Sequence, residues 1–364
     1  MWTAHTGGRP VVAGAGVSGG PGGLIGGGEK KPRLPSFLSV PVFISLLFVV
    51  PAVGFIVVTS PLAVLLGLVP LVIVLPVLAW LDRVEPEPRS SKIHAVLWGA
   101  AVAGLVSVIV NSIVALTAGE AVAAVVSAPL IEETSKGAGL LWALRRKELD
   151  SLVDGVAYAG WLGLGFAVIE DFTFFVAAAD EGFLLQTFLL RALLTPFAHP
   201  LFTAWTGLAV GLAVSKGQRV FPRALWGLAL AVLSHAAWNG SLVASEATEN
   251  PAIAGGAAVL FVLLFLAAVV TVVRLRQGEQ QRFIAAVPFL VQRYGLPPSD
   301  VMVFGNWSTL LATRKSLDKQ RRAQFDTVHC NLARAAALHH RPGETDPVAE
   351  QVLYAQLKKA RAAH

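Results

Sequence analysis

The chain has 364 residues, of which 55% are hydrophobic and 14% are charged. Since a soluble domain carries about 25% charged residues, this composition predicts a membrane protein. The formal net charge of +6 does not predict a nucleic-acid partner, because the basic residues lie at the ends of apolar segments. A single cysteine, Cys330, excludes an internal disulfide and any site built from several cysteines.

Residues 1–35 form a Gly-rich, polar leader without the pattern of a cleavable signal peptide. We expect this leader to be disordered. Three basic residues, Lys30, Lys31 and Arg33, precede the first apolar run and help to set the membrane orientation.

Eight apolar runs follow, each long enough to supply the roughly 20 residues that cross a hydrocarbon core of about 30 Å. The sequence therefore predicts an all-α, polytopic bundle of about eight transmembrane helices over residues 36–274. The predicted spans are 37–58, 61–81, 93–117, 120–143, 153–178, 184–213, 222–244 and 253–273. Prolines interrupt the first two runs, which could instead form a re-entrant hairpin.

The loops between these spans alternate in charge. Loops 82–92, 145–151 and 215–223 each contain three Lys or Arg residues, whereas the intervening loops contain none. By the positive-inside rule, this alternation predicts a multi-pass protein of the cell membrane with both termini in the cytoplasm.

Residues 275–364 are mixed and charged, which predicts a cytosolic tail with helices near 279–294, 308–339 and 347–361. Its basic clusters are typical of solvated helix faces, and contact with anionic lipid is the alternative.

Four predicted spans carry ionisable residues near mid-membrane, where a charged group costs about 2.5–3.5 kcal/mol on insertion scales. These residues are Glu132 and Glu133 in the fourth span, Glu170 and Asp171 in the fifth, His199 in the sixth and His235 in the seventh. Because their depths overlap, we expect the four helices to share one site.

Other polar residues lie on the same helix faces. Lys136 follows the two glutamates by one turn, Thr203 follows His199 at i+4, and Asn239 follows His235 at i+4. Each also has a structural explanation. Lys136 could be an interfacial anchor, Thr203 could bond its own backbone and Asn239 could bridge two helices. Arg191 could likewise be an anchor near the outer surface.

The fifth span has two further structural signals. Small residues at Gly155, Ala159, Gly163 and Ala167 form a stripe that predicts close approach of a neighbouring helix. Asp154, at the start of this span, is expected to cap the helix.

The residue types narrow the chemistry. The sequence lacks the His-Glu-x-x-His, Gly-x-Ser-x-Gly and Tyr-Asp with Gly-x-Gly-Asp motifs of other proteases. A glutamate can take a proton from water, which then attacks a carbonyl. Histidines can hold the water, bind a metal or protonate the leaving amine. An amide such as Asn239 can stabilise the oxyanion.

This pattern predicts a peptide hydrolase in the bilayer. A proton- or cation-coupled transporter is the alternative, since intramembrane Glu and His also form proton relays. A non-enzymatic scaffold that keeps the polar core for packing is a third hypothesis.

Ordered motifs across residues 120–245 resemble a known family. They are Glu132-Glu133-Thr-Ser-Lys136, then Asp154-Gly155-Val-Ala-Tyr158 through Glu170-Asp171, then Arg191 through His199-Pro-Leu-Phe-Thr203, and finally His235-Ala-Ala-Trp238-Asn239. The set resembles the PrsW family of intramembrane proteases, which is related to the CAAX-protease and bacteriocin-processing superfamily. Asp171 departs from the asparagine expected at its position.

The resemblance implies an intramembrane peptidase with this catalytic core. The implied catalytic residues are Glu132, Glu133, Glu170, His199, His235 and Asn239, and the supporting residues are Lys136, Asp171, Arg191 and Thr203. It also implies a metal, with zinc as the candidate and His199, His235 and Glu170 as its ligands. The expected partners are the lipid bilayer and a membrane-anchored protein substrate, of which an anti-sigma factor is one example.

Overall fold

The computed structural model describes residues 39–146 and 148–339, together with residues 354, 355 and 357. The predicted leader and nearly all of the tail helix predicted near 347–361 lie outside these residues. Every regular element in the described part of the chain is a helix, which confirms the predicted all-α bundle.

Eight helical stretches form the membrane region. They are α1 (Val40–Thr59), α2 (Pro61–Leu81), α3 (Arg89–Ala118), α4 (120–145), α5 (Leu152–Glu181), α6 (Leu184–Ser215), α7 (Val220–Ala247) and α8 (Pro251–Arg293). All except α4 are long and apolar enough to cross a membrane, which gives seven candidate spans in the described residues. The fourth predicted span, 120–143, is present as the helix α4, but Glu132, Glu133 and Lys136 lower its hydropathy.

Several of these stretches are irregular. A π-helical turn lies in α3 at Trp98–Ala103, in α4 at Ala123–Ser127 and in α6 at Leu189–Leu194. In α6 the helix is also interrupted by a turn at residues 195–197 and resumes as Ala198–Ser215. π-Helical turns are frequent at functional sites, and the turns in α4 and α6 adjoin the polar residues described below.

The centre of the bundle is the crossing of α5 and α6. Gly155 and Gly207 face each other so closely that a Cβ on either residue would lie 2.1 Å from the carbonyl oxygen of the other. A Cβ on Gly163 would lie 2.5 Å from the backbone nitrogen of Pro200. This confirms the close approach predicted from the small-residue stripe, and it fixes the backbone beside His199 against α5.

The start of α5 is capped as predicted. The Ser151 hydroxyl accepts a hydrogen bond from the Asp154 backbone N–H at 3.1 Å, and Asp154 Oδ2 accepts from the Ser151 N–H at 2.8 Å. This reciprocal capping box satisfies two N–H groups that the first helical turn would otherwise leave without partners.

The tail continues directly from the membrane region, because α8 runs through residue 274 without interruption. It is followed by α9 (Ser299–Phe304), α10 (Trp307–Ser316) and α11 (Lys319–His339). The helix predicted over 308–339 is thus divided in two between α10 and α11. Val84, in the loop between α2 and α3, joins the apolar core of the tail, which includes Val287, Leu290 and Leu332.

Candidate active site

The polar residues of α4, α5, α6 and α7 lie together inside the bundle, as expected from their depths in the sequence. Glu133 and Lys136 are 0% exposed, Glu132 and His235 are 3% exposed, and His199 is 7% exposed. Charged groups so deeply buried require partners. Their partners therefore show what each group is able to do.

Both carboxylate oxygens of Glu133 are occupied. Its Oε1 accepts a hydrogen bond from Lys136 Nζ at 2.6 Å and lies 3.2 Å from His235 Nδ1. Its Oε2 accepts from the Thr203 hydroxyl at 2.9 Å. Thr203 therefore bonds across helices rather than to its own backbone, and Lys136 neutralises Glu133 rather than extending to the interface.

The adjacent Glu132 has a different environment. Its Oε2 is buried and has no hydrogen-bond partner. This oxygen lies 3.9 Å from His199 Nδ1 and also 3.9 Å from His235 Nε2, which is too far for a direct hydrogen bond. Glu132 is thus the glutamate that keeps an available lone pair facing both imidazoles.

His199 is held from both ring nitrogens. Its Nδ1 lies 3.2 Å from Lys136 Nζ, and its Nε2 lies 2.8 Å from Glu170 Oε2. Because an ammonium group only donates, Nδ1 is the acceptor and Nε2 carries the proton that is donated to Glu170.

Arg191 fixes the acidic side of this arrangement. Its guanidinium is paired with Glu170 and donates through Nε to Asp171 Oδ1 at 2.6 Å. Arg191 also covers the ring of Phe174 at 3.9 Å. This residue therefore pairs with the site instead of acting as a simple interfacial anchor.

His235 has the complementary orientation. Its Nδ1 faces Glu133, which leaves Nε2 facing Glu132. Phe202 stacks on the ring, with centroids 4.7 Å apart and planes inclined by 16°. Two ring nitrogens, Nδ1 of His199 and Nε2 of His235, consequently lie at the same distance of 3.9 Å from Glu132 Oε2.

These residues fit a divalent metal ion. Glu132, His199 and His235 offer three ligand atoms that lie within 4.8 Å of one another. The second nitrogen of each imidazole faces a carboxylate, Glu170 or Glu133, which is the outer arrangement usual for metal-binding histidines. A metal at this position would compete with Lys136 for Nδ1 of His199.

The third member of this group differs from the ligand set expected from the resemblance. That set had Glu170 beside the two histidines, whereas the structure groups Glu132 with them. The physical reason is the orientation of the His199 ring, which directs Nε2 to Glu170 and Nδ1 towards Glu132.

Asn239 bridges two helices. Its side-chain N–H donates to the backbone carbonyl of Ala124, in the π-helical turn of α4, at 2.9 Å. Asn239 thus has the structural role of a bridge between helices, and this bond uses one of its two amide protons.

A small cavity of about 70 Å³ adjoins the imidazoles. Its polar lining residues are Glu170, Asp171, Arg191, Thr195, His199, His235 and Asn239. Glu132 and Glu133 do not line this cavity. Of Glu132, His199 and His235, only the two histidines therefore line this cavity.

Two aromatic residues of the site were not singled out from the sequence. The Lys136 ammonium lies 4.5 Å from the centre of the Phe166 ring, and Phe202 stacks on His235. Both residues lie inside the motifs quoted above. The only available signal was therefore their position one to four residues from polar motif residues.

An all-α bundle with buried carboxylates and imidazoles at its centre has the groups that a hydrolase acting within the membrane requires. Residues 87–272, just over half of the chain, match the family model described as PrsW family intramembrane metalloprotease, and the chain belongs to this family. The protein is therefore a multi-pass intramembrane protease, as the resemblance implied.

A curated relative supports this assignment. "Protease PrsW" of Geobacillus kaustophilus (strain HTA426) is 29% identical over 171 residues, which cover 45% of this chain and 72% of the relative. No solved structure gives a significant match.

Proposed function

We propose that this protease hydrolyses a peptide bond of a membrane-anchored protein, with Glu132 as the carboxylate that takes a proton from the attacking water. The observation that carries this proposal is the difference between two adjacent glutamates. Glu133 has partners at both oxygens, whereas Glu132 Oε2 has none and lies 3.9 Å from a ring nitrogen of each imidazole. A general base needs such a free acceptor.

In this reaction the imidazoles help to hold the attacking water. A water held among Glu132, His199 and His235 gives a proton to Glu132 while its oxygen attacks the peptide carbonyl carbon. When the C–N bond breaks, this proton passes to the leaving amine. In this mechanism Glu133 and Glu170 are positioning residues, because each sets the tautomer and the orientation of one imidazole.

A divalent metal is compatible with the same residues. Glu132, His199 and His235 would hold it, and zinc is the metal whose usual ligands match this set. When bound, the ion would polarise the substrate carbonyl and lower the pKa of a bound water. Metal analysis of the purified protein, compared with a His199→Ala, His235→Ala double variant, tests this assignment.

The charge pattern of the loops supports a topology in which both termini are cytoplasmic. With this orientation, the substrate is a membrane protein whose chain enters the bilayer, and an anti-sigma factor is one candidate. Comparative membrane proteomics of a wild-type strain and a Glu132→Gln strain would identify the substrate by fragments that only the wild type produces.

The decisive experiment measures cleavage of a single-span reporter in proteoliposomes. Glu132→Gln keeps the shape of the side chain but removes the base, so we expect the rate to fall by about 10²–10⁴-fold. Glu87→Gln, at a buried acid in the loop between α2 and α3, is the matched control and should cleave normally. Wild-type cleavage by a folded Glu132→Gln protein would refute the role of Glu132.

A further inference from the structure

A second, larger cavity lies beside the active site between α8 and the pair α6 and α7. Its volume is about 400 Å³. One wall is a stripe of α8 residues from Ala257 to Val272, and the opposite wall comes mainly from Leu201–Leu208 of α6 and Ser234–Trp238 of α7. We call this cavity the lateral groove.

The lateral groove is elongated along the bundle. The α8 residues that line it recur every three or four positions over the sixteen residues from Ala257 to Val272, as expected for one face of a helix. At 1.5 Å per residue this face is roughly 23 Å long, compared with a hydrocarbon core of about 30 Å. The shape therefore fits a chain that crosses most of the membrane rather than a compact ligand.

The walls of the groove are apolar and offer almost no hydrogen bonding. Its two hydroxyl residues are satisfied within their own helices, because Ser234 donates to the Ala231 carbonyl at 3.0 Å and Thr271 donates to the Ala267 carbonyl at 2.8 Å. A polypeptide in such surroundings must satisfy its own backbone, which an α-helix does. The occupant that the chemistry favours is thus a helix.

Small residues line both walls. Ala204 and Ala237 face the groove from α6 and α7, and Ala257 and Ala268 face it from α8. Small side chains allow the backbones of neighbouring membrane helices to approach closely. The lateral groove therefore has the surface that a packed transmembrane helix requires.

The groove is continuous with the catalytic cavity. Phe202 and Trp238 line both cavities. Phe202 stacks on His235, and Trp238 contacts Phe261 of α8 with ring centroids 5.0 Å apart. Phe202 and Trp238 therefore lie between a chain in the groove and the active-site imidazole.

We propose that the lateral groove binds the transmembrane helix of the substrate and delivers it to the active site past Phe202 and Trp238. This inference rests on the proposed function, since it names the docking surface of that same reaction. A lipid acyl chain is the other occupant that fits an apolar groove, and the experiment must separate the two.

Neighbouring alanines on α8 provide a matched test. Ala257 lines the groove, whereas Ala258 is exposed and does not line it. In proteoliposomes, Ala257→Phe and Ala268→Phe should raise the KM for a single-span substrate about tenfold, while Ala258→Phe leaves it unchanged. Thermal melting of each variant checks that the fold is retained.

Photo-crosslinking gives an independent readout at positions that already carry a large side chain. Leu264 lines the groove, whereas the exposed Leu263 does not. A benzoylphenylalanine in place of Leu264 in the Glu132→Gln protein should capture the single-span substrate, and one in place of Leu263 should not. If wild type cleaves but position 264 captures only lipid and both groove variants have a normal KM, the groove proposal is wrong while the proposed function stands. If wild type itself does not cleave, the proposed function has failed.

Discussion

Two clusters of buried carboxylates lie near α5, and they differ in what surrounds them. Around Glu170, the carboxylates face two imidazoles, Lys136 and Arg191. Near the start of α5, Glu85, Glu87, Asp154 and Glu279 are also buried. There the hydrogen bonds to Glu87 and Glu279 come from the hydroxyl groups of Tyr158 and Ser151.

The consequence of this difference is visible in the loop residues of the second cluster. Burial, reinforced by the negative charge of Asp150 and Asp154, raises the pKa of Glu85 well above its usual value. Burial and the neighbouring Asp82 raise the pKa of Glu87 to about 8. Acids in such surroundings are favoured in their neutral form, so the number of carboxylates does not by itself make a catalytic site. The two imidazoles distinguish the first cluster, because cations lie near both clusters.

Removal of the buried cation should have the largest effect. Lys136→Met leaves Glu133 charged and without its main counterion, and breaking a buried ion pair in this way costs about 3–5 kcal/mol. We expect loss of folding in a detergent melting assay and loss of cleavage. The comparison is Lys92→Met, which removes the half-exposed partner of Asp82 in the loop region.

The Lys136 prediction also has an internal control. The Lys136→Met, Glu133→Gln double variant removes both charges and should regain most of the lost thermal stability. A single variant that melts like wild type, or a double variant that melts no higher than the single, would contradict the ion-pair explanation.

Loss of an outer positioning residue should have an intermediate effect. Arg191→Met releases Glu170 and Asp171, and loss of such partners typically costs about 10–100-fold in activity or metal affinity. Arg191→Lys should recover only part of the activity, because one ammonium cannot reproduce the planar contacts to two carboxylates. Steady-state cleavage rates measure both variants, and Arg282→Met beside the second cluster should be unaffected.

Glu87, in the second cluster, should make the stability of the folded protein depend on pH. Because the pKa of Glu87 is about 8 in the folded protein and 4.5 in its ordinary state, the folded state binds more protons between these values, and stability falls as pH rises through this window. Glu87→Gln should therefore melt several degrees higher than wild type at pH 8.5, with little difference at pH 4.5. Glu246→Gln, at an exposed position, controls for net charge. A pH-independent difference would contradict this account.

The smallest effect is expected at the helix cap. Ser151→Ala removes the acceptor for the Asp154 N–H, and loss of such a cap costs about 1 kcal/mol. The melting temperature should fall slightly while the cleavage rate remains that of wild type. A large loss of activity would show that the second cluster takes part in catalysis after all.

Much of this fold could be predicted from the sequence, because apolar length and loop charge are properties of the chain itself. The meeting of Glu132, Glu133, His199 and His235 was also predictable, since each residue is costly at mid-membrane unless it shares a site. α4 is an exception among the predicted spans. Glu132, Glu133 and Lys136, which build the site, make this helix less apolar than its neighbours.

The division of roles within the site could not be predicted. Glu132 and Glu133 are adjacent in sequence, and helical spacing does not show which oxygen Lys136 and Thr203 will occupy. In the structure Glu132, and not Glu170, is grouped with the two histidines. This grouping depends on the orientation of the His199 ring, which sequence spacing does not encode. The continuity of α8 past residue 274 was also missed, because a change in composition does not require a helix to end.

The uninterrupted course of α8 joins two regions that the sequence separates. This helix contains 43 residues and is therefore about 65 Å long at 1.5 Å per residue. One end forms a wall of the lateral groove, and the other contributes Phe283, Val287 and Leu290 to the tail. One continuous helix therefore belongs to both the groove beside the active site and the apolar core of the tail.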